Sequence, residues 1–212
     1  MTYRLEFSRP VLLDVDGVLL DSAEFFDGIW RRWAGLTGLD ADWVSTDARG
    51  RRTEDVLSAM TPWLDIAYER RRLDKLVERH LDQIQPVPGA RLLLESVQER
   101  PHALVTSGSR WFVERTFAAL ALPLPAVCVY GEDVDAGKPA PDCYQLGARR
   151  LGFNPGQCVA VDDSEAGITA AISAGCEVIG VGDAIPADLA SVLTTDTVQN
   201  LALSWSLTER IA

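Results

Sequence analysis

A chain of 212 residues with 47% hydrophobic content is long enough to bury one good core, or one core plus a small appended unit, which excludes a disordered chain. The formal charge of −11 and a pI of about 4.6 exclude general affinity for nucleic acid, because such binding depends on Lys and Arg neutralising phosphate. If the ligand is itself an anion, the site must supply positive potential locally, from a metal, a lysine or backbone N–H groups, against the protein's own field.

The segment from Met1 to Pro10 is charged rather than apolar, and no uncharged run reaches the roughly 18 residues of a membrane span, so the expectation is a cytoplasmic protein without membrane contact. The first predicted strand, Val11 to Leu13, leads into Asp14-Val15-Asp16-Gly17-Val18. Continuous aliphatics mark a strand buried on both faces, so the two aspartates belong where it emerges. Their two-residue spacing points both side chains the same way before Gly17 lets the chain bend. Two like charges so close call for a cation, and an oxygen-only set suits Mg²⁺, which keeps waters and leaves a position for a substrate phosphate. A calcium loop would need its glycine sixth and an acid twelfth; here the glycine is fourth.

Residues 21–86 form an interval far longer than an ordinary crossover, and they read as an inserted helical unit. Its predicted helices are Ala23 to Leu36, with Trp30 and Trp33, then Thr53 to Met60, then Pro62 to Gln83. From residue 87 helices and strands alternate. The helices are Gly89 to Arg100, Arg110 to Leu120, Asp142 to Leu151 and Glu165 to Ala174; the strands are Ala103 to Thr106, Ala126 to Val129, Cys158 to Val161 and Glu177 to Val181. This order predicts an α/β fold with a doubly wound, Rossmann-like parallel sheet, its core made of residues 1–20 and 87–212 with residues 21–86 as a small helical cap. Residues 198–212 carry no assigned element. The cysteines, Cys128, Cys143, Cys158 and Cys176, show no C-x-x-C pair or histidine cluster and are expected to be reduced structural thiols.

Three further signals lie at the ends of later strands, where open α/β sheets bind ligands. Thr106-Ser107-Gly108-Ser109 ends a strand in hydroxyls and a glycine before a helix; its N–H groups and the helix dipole favour phosphate, and an ordinary N-cap is the alternative. Lys138 stands between Gly137 and two prolines, Pro139 and Pro141, which stiffen the loop more than an idle surface lysine requires. Val159-Ala160-Val161-Asp162-Asp163-Ser164 is a second strand ending in paired acids; helix capping explains one acid but not two.

Taken in order, D-V-D-G-V, V-T-S-G, G-K-P-A-P-D and V-D-D-S-x-A-G resemble the four motifs of the haloacid-dehalogenase-like hydrolase superfamily, over nearly the whole chain. The insertion resembles the helical-capped branch that holds small sugar- and polyol-phosphate phosphatases and β-phosphoglucomutase. The resemblance implies a Mg²⁺-dependent phosphatase that turns over a small phosphorylated metabolite as a monomer or small homo-oligomer. It makes Asp14 the nucleophile that becomes phospho-aspartate, and Asp16 the acid that protonates the leaving alcohol and later deprotonates water. It sets the metal on the Asp14 carboxylate, the Asp16 backbone carbonyl and Asp163, with Asp162 beside Asp163 or acting through water. Thr106 and the Ser107 N–H would hold phosphate oxygens, with Gly108 beside them, and Lys138 would offset charge. A glutamate is commoner at the position of Asp162.

The segment from Arg49 to Leu57 resembles the cap loop of 2-deoxyglucose-6-phosphate and glycerol-phosphate phosphatases, often H-G-R-R-T, with Arg49 where histidine is frequent. Gly50 and Arg52 are therefore expected at the substrate; a solvated helix entrance is the alternative. Phe26, Trp30 and Trp33 either line the pocket or pack the cap. A mutase would require a histidine where Phe26 stands, and the two histidines are His80 and His102. A dehalogenase would lack the second aspartate, here Asp16. With all four motifs chemically intact, a non-catalytic phosphate-binding or regulatory protein is the remote reading.

Overall fold

The structure, a computed structural model, describes residues 9–182 and 193–209. In chain order, β1 (Val11–Leu13) and β2 (Leu20–Asp21) are followed by four helices: α1 (Ala23–Thr37), α2 (Ala41–Ala48), α3 (Thr53–Met60) and α4 (Ile66–Glu78). Then come β3 (Gln85–Pro86), α5 (Ala90–Ser96), β4 (His102–Val105), α6 (Arg110–Ala119), β5 (Cys128–Val129), α7 (Asp142–Leu151) and β6 (Val159–Asp162). The chain continues with α8 (Glu165–Ala174), β7 (Glu177–Val181), β8 (Leu193–Thr195) and α9 (Val198–Glu209).

Six strands form a parallel sheet in the order β5-β4-β1-β6-β7-β8. Side chains alternate across it with period two. Val11, Leu13, Leu104, Val161 and Ile179 enter one core together with Leu93, Phe117 and Trp205 from α5, α6 and α9. Leu12, Ala103, Val105, Ala160 and Val178 enter the other, with Tyr144 and Ala148 of α7 and Ile168 of α8. Burying each large aliphatic side chain is worth about 1.5–3 kcal/mol, so covering both faces is what makes uninterrupted aliphatic strands stable here. The chain doubles back at β1, the topological switch point, so the carboxyl ends of β1, β4 and β6 share one crevice.

The inserted helical segment leaves and rejoins the sheet through β2 and β3, which pair antiparallel, Leu20 with Pro86 and Asp21 with Gln85. Its helices have their own signals. Asp40 caps α2 by accepting from the Trp43 N–H at 2.8 Å, and Asp65 caps α4 by accepting from Tyr68 N–H at 3.0 Å. Trp33 is buried and its indole N–H donates to Glu69 at 2.9 Å, so the one buried carboxylate of α4 is satisfied by a buried indole of α1.

Three helices depart from the sequence reading, and β2, β3 and β8 are short strands that it does not assign. The expected helix from Pro62 to Gln83 is shorter, because Asp65 starts α4 and the chain leaves it after Glu78 for a single tight turn at Leu81–Gln83. Helix α2 falls between the predicted helices, which stop at Leu36 and resume at Thr53, and has no predicted counterpart. Residues 198–209, left without an element, are helical: Val198, Leu201, Ala202 and Trp205 recur at helical spacing and are buried, and α9 packs on α5 where Gly89 admits the backbone of Gln199. No helix among the described residues is long and apolar enough to cross a membrane. All four cysteines are unpaired.

Candidate active site

The first motif forms because β1 ends at Leu13 and the chain turns at once. Leu19 and Leu20 N–H both donate to the Val15 carbonyl, and Gly17 N–H donates to the Leu20 carbonyl. Gly17 has φ of 79°, a left-handed conformation that glycine adopts without strain. Asp14 is thereby held buried at the strand end, while Asp16 and Gly17 face a cavity of about 150 Å³ between the sheet edge and the inserted helices.

Lys138 lies under this floor, 2% exposed, so the bland reading of a free surface lysine does not hold. Its ammonium donates to Asp14 Oδ1 at 2.6 Å and to Asp162 Oδ2 at 2.8 Å, and sits 5.3 Å from the centre of the Tyr144 ring. Burial alone would strip its proton, yet the two carboxylates outweigh burial and raise its pKa, so it stays charged.

Asp162 has all of its acceptor capacity in use. Oδ1 accepts from the Ser164 N–H at 2.9 Å and from the Ser164 hydroxyl at 2.8 Å; Oδ2 accepts from Lys138 and from the Tyr144 hydroxyl. Neither acid caps α8: that is done by Ser164, whose Oγ accepts from Gly167 N–H at 3.1 Å. Gly167 also makes room for Asp162, since a Cβ there would lie 2.0 Å from its carboxylate. Asp163, with no such set of donors, turns toward the cavity over Gly17.

One ligand oxygen each from Asp14, Asp162 and Asp163 lie within 4.8 Å of one another. Burial raises Asp14 well above the usual carboxylate range; Lys138 pulls it down, and Asp162, Asp163 and Asp16 push it up. Burial and the neighbouring Asp162 push Asp163 up to about 7. Burial also raises Asp16, opposed by the Ser22 hydroxyl, which donates to its Oδ1 at 2.5 Å. A buried group of hard carboxylate oxygens whose mutual repulsion exceeds what one lysine offsets fits a hard divalent cation. Asp14 and Asp163 have the free acceptor capacity for it; Asp162 does not.

Ser107, Gly108 and Gly50 line the cavity with Asp14, Asp16 and Asp163. Thr106 and Lys138 lie beneath the surface that lines it: Thr106 is buried and its Oγ1 accepts from Gly108 N–H at 2.9 Å. Gly50, with φ of 73°, presents its carbonyl to the Ser107 hydroxyl at 2.8 Å, and a Cβ on it would meet Ser164 Oγ at 2.3 Å. Arg52, expected at the substrate, is not among the lining residues, because all five of its N–H groups are bonded elsewhere on the seam between α3 and the loop after β5. Phe26 and Trp30 line the cavity, whereas Trp33 packs inside the helical segment.

The sequence reading missed Tyr144, Ser164 and Ser22, which orient Asp162 and Asp16. Ser164 carried a visible signal, a hydroxyl residue at a helix entrance; Tyr144 and Ser22 meet their partners only in the folded chain. The distal wall, with Asp27, Ser45, Arg49 and Arg51, was likewise invisible except for the arginines.

Comparison with known proteins agrees with this geometry. The haloacid dehalogenase-like hydrolase family matches residues 10–175. Hexitol phosphatase A of Escherichia coli K12 is 37% identical over 195 residues, covering 90% of this chain and 89% of that protein. Glycerol-1-phosphate phosphohydrolase 1 of Saccharomyces cerevisiae is 29% identical over 192 residues, covering 85% and 77%. A hydrolase structure from Pseudomonas syringae superposes with a TM-score of 0.81 at 22% identity, over 95% of this chain and 98% of that one, which speaks for the fold. With paired aspartates, a buried lysine and the helical insertion all in the family's order, the protein belongs to the haloacid dehalogenase-like hydrolases.

Proposed function

We propose that this protein is a Mg²⁺-dependent phosphomonoester hydrolase that acts on a small sugar or polyol phosphate through a phospho-aspartate on Asp14. The observation that carries the reading is the bridge from Lys138 to Asp14 and Asp162 beneath a cavity that Asp14, Asp16 and Asp163 share. Support for the substrate class comes from the hexitol and glycerol phosphatases that the chain resembles.

In this mechanism one oxygen of Asp14 attacks phosphorus while Lys138 holds the other at 2.6 Å and offsets the growing charge. Asp16, raised by burial and held by Ser22, carries the proton that the departing alkoxide takes. Water then attacks the phospho-aspartate and gives its proton back to Asp16, releasing phosphate and restoring the Asp14 carboxylate. The Ser107 N–H and the Thr106 hydroxyl donate to phosphoryl oxygens, the Thr106 oxygen being itself held by the Gly108 N–H at 2.9 Å. Asp14, the Asp16 carbonyl and Asp163 would hold the Mg²⁺, which when bound neutralises phosphate charge.

Residues 21–86 act as a cap on a core of residues 1–20 and 87–212, so that closure excludes water until the alcohol has left. A mutase would need a proton-transfer group where Phe26 stands; Phe26 instead stacks edge-on against Phe25 and Phe112, with centroids 5.2 and 5.3 Å apart. His102 is bound to the Arg100 carbonyl on β4, and neither histidine lines the cavity.

The test is phosphate release by purified protein with millimolar Mg²⁺ from hexitol, glycerol, deoxyglucose and glucose phosphates. Turnover by the wild type and none by Asp14→Asn supports the reading. A wild type inert on the whole panel, or an active Asp14→Asn, sinks it. Conversion of a sugar 1-phosphate to its 6-isomer without free phosphate, followed by phosphorus NMR, would favour the mutase.

A further inference from the structure

We propose that Arg52 is a positioning residue that joins helix α3 to the loop delivering Lys138, and thereby sets the reach of that lysine to Asp14. The inference rests on the phosphatase reading for what Lys138 does. Arg52 holds Asp55 through a bidentate pair, Nε to Oδ2 and Nη2 to Oδ1, both at 2.7 Å. Its remaining N–H groups donate to three backbone carbonyls: Nη1 to Gly131 at 3.1 Å and Val134 at 2.6 Å, and Nη2 to Asp135 at 2.8 Å. The five donors of the guanidinium are all used, and none is left for a substrate.

Three carbonyls converging on one point repel each other unless a cation sits among them, so the conformation of residues 131–135 depends on Arg52. The loop is built around it. A Cβ on Gly137 would lie 2.5 Å from both Arg52 Nε and Asp55 Oδ2, so the residue before Lys138 is packed flat on the ion pair. The loop's other end is tied to the phosphate-facing turn, with Gly131 N–H donating to the Gly108 carbonyl at 2.9 Å. Lys138 lies three residues beyond Asp135, and a small shift of that loop would carry its ammonium away from Asp14. Asp55 completes the device, because it orients the guanidinium and balances its charge within a seam where Arg52 is only 13% exposed.

Steady-state kinetics of Arg52→Met, Arg52→Lys, Asp55→Asn and the double variant Arg52→Met/Asp55→Asn, on two phosphomonoesters with different alcohols, test the proposal. Because Arg52 touches no substrate atom, kcat/KM is expected to fall about 10- to 100-fold by the same factor for both esters, mostly in kcat. The double variant should lose no more than Arg52→Met alone. Losses that differ between the esters would mean substrate contact and overturn the proposal. So would a lower melting temperature with unchanged kcat per folded molecule. If the wild type is inert on the whole phosphomonoester panel, the phosphatase reading falls, and amide exchange still decides whether Arg52 holds the loop: residues 131–138 should exchange about tenfold faster in Arg52→Met, and unchanged protection refutes it.

Discussion

Asp163 lies so close over Gly17 that a Cβ on the glycine would stand 2.0 Å from its Oδ2. The glycine of the first motif thus serves two purposes, a left-handed turn with φ of 79° and an open floor for the carboxylate of the fourth motif. Gly17→Ala is expected to destabilise the fold by more than about 1 kcal/mol from backbone strain alone. It should also cost far more activity than stability, because Asp163 has to move. Urea unfolding compared with kcat checks this; a variant with wild-type kcat would show that Asp163 needs no such seat.

Lys138 separates two buried carboxylates, so its removal is costly in an identifiable way. Lys138→Met should lower stability by about 3–5 kcal/mol, since it leaves Asp14 and Asp162 buried without a counter-ion. The penalty should shrink in Lys138→Met combined with Asp14→Asn, where one of the two charges is gone. A double-mutant cycle by chemical denaturation measures the difference, and additive losses would contradict the bridge.

Cation binding should be visible without turnover. Mg²⁺ bound at the proposed site would relieve repulsion among Asp14, Asp162 and Asp163, so the melting temperature of the wild type should rise with Mg²⁺ concentration and fall back with chelator. Asp163→Asn should abolish the dependence, whereas Asp162, saturated by Ser164, Lys138 and Tyr144, should matter for stability more than for the metal. Equal Mg²⁺ dependence in Asp163→Asn would remove that residue from the ligand set.

The paired strands β2 and β3 carry the chain into and out of the helical insertion side by side, at Leu20 with Pro86 and Asp21 with Gln85. Residues 18–22 and 84–89 are therefore the expected hinges for the proposed cap. Small-angle scattering should give a more compact particle with Mg²⁺ and beryllium fluoride than without them. Identical curves would argue for a fixed cap.

Much of the fold was legible before folding was considered. Helices over Thr53–Met60, Asp142–Leu151 and Glu165–Ala174 fall where the periodicity of their apolar residues predicts them, because that spacing repeats within a few turns. The four motifs were legible too: three of them end an aliphatic strand in polar or charged residues, and Lys138 stood out by the glycine and prolines around it. Helix α9 was overlooked although Val198, Leu201, Ala202 and Trp205 carried the pattern, and α2 was given no helix of its own within a segment read as helical.

Local sequence alone determined which residues are expensive to bury: Asp14, Asp16, Lys138, Asp162 and Asp163. Only tertiary structure decided what each one does to the others. Asp162 and Asp163 are adjacent and chemically identical, yet one is enclosed by Ser164, Lys138 and Tyr144 while the other faces the cavity. Arg52 likewise looked like a substrate contact until residues 131–135, some eighty positions away, supplied the carbonyls that occupy it. A residue's type is written in the chain; its partners depend on distances that only the folded backbone creates.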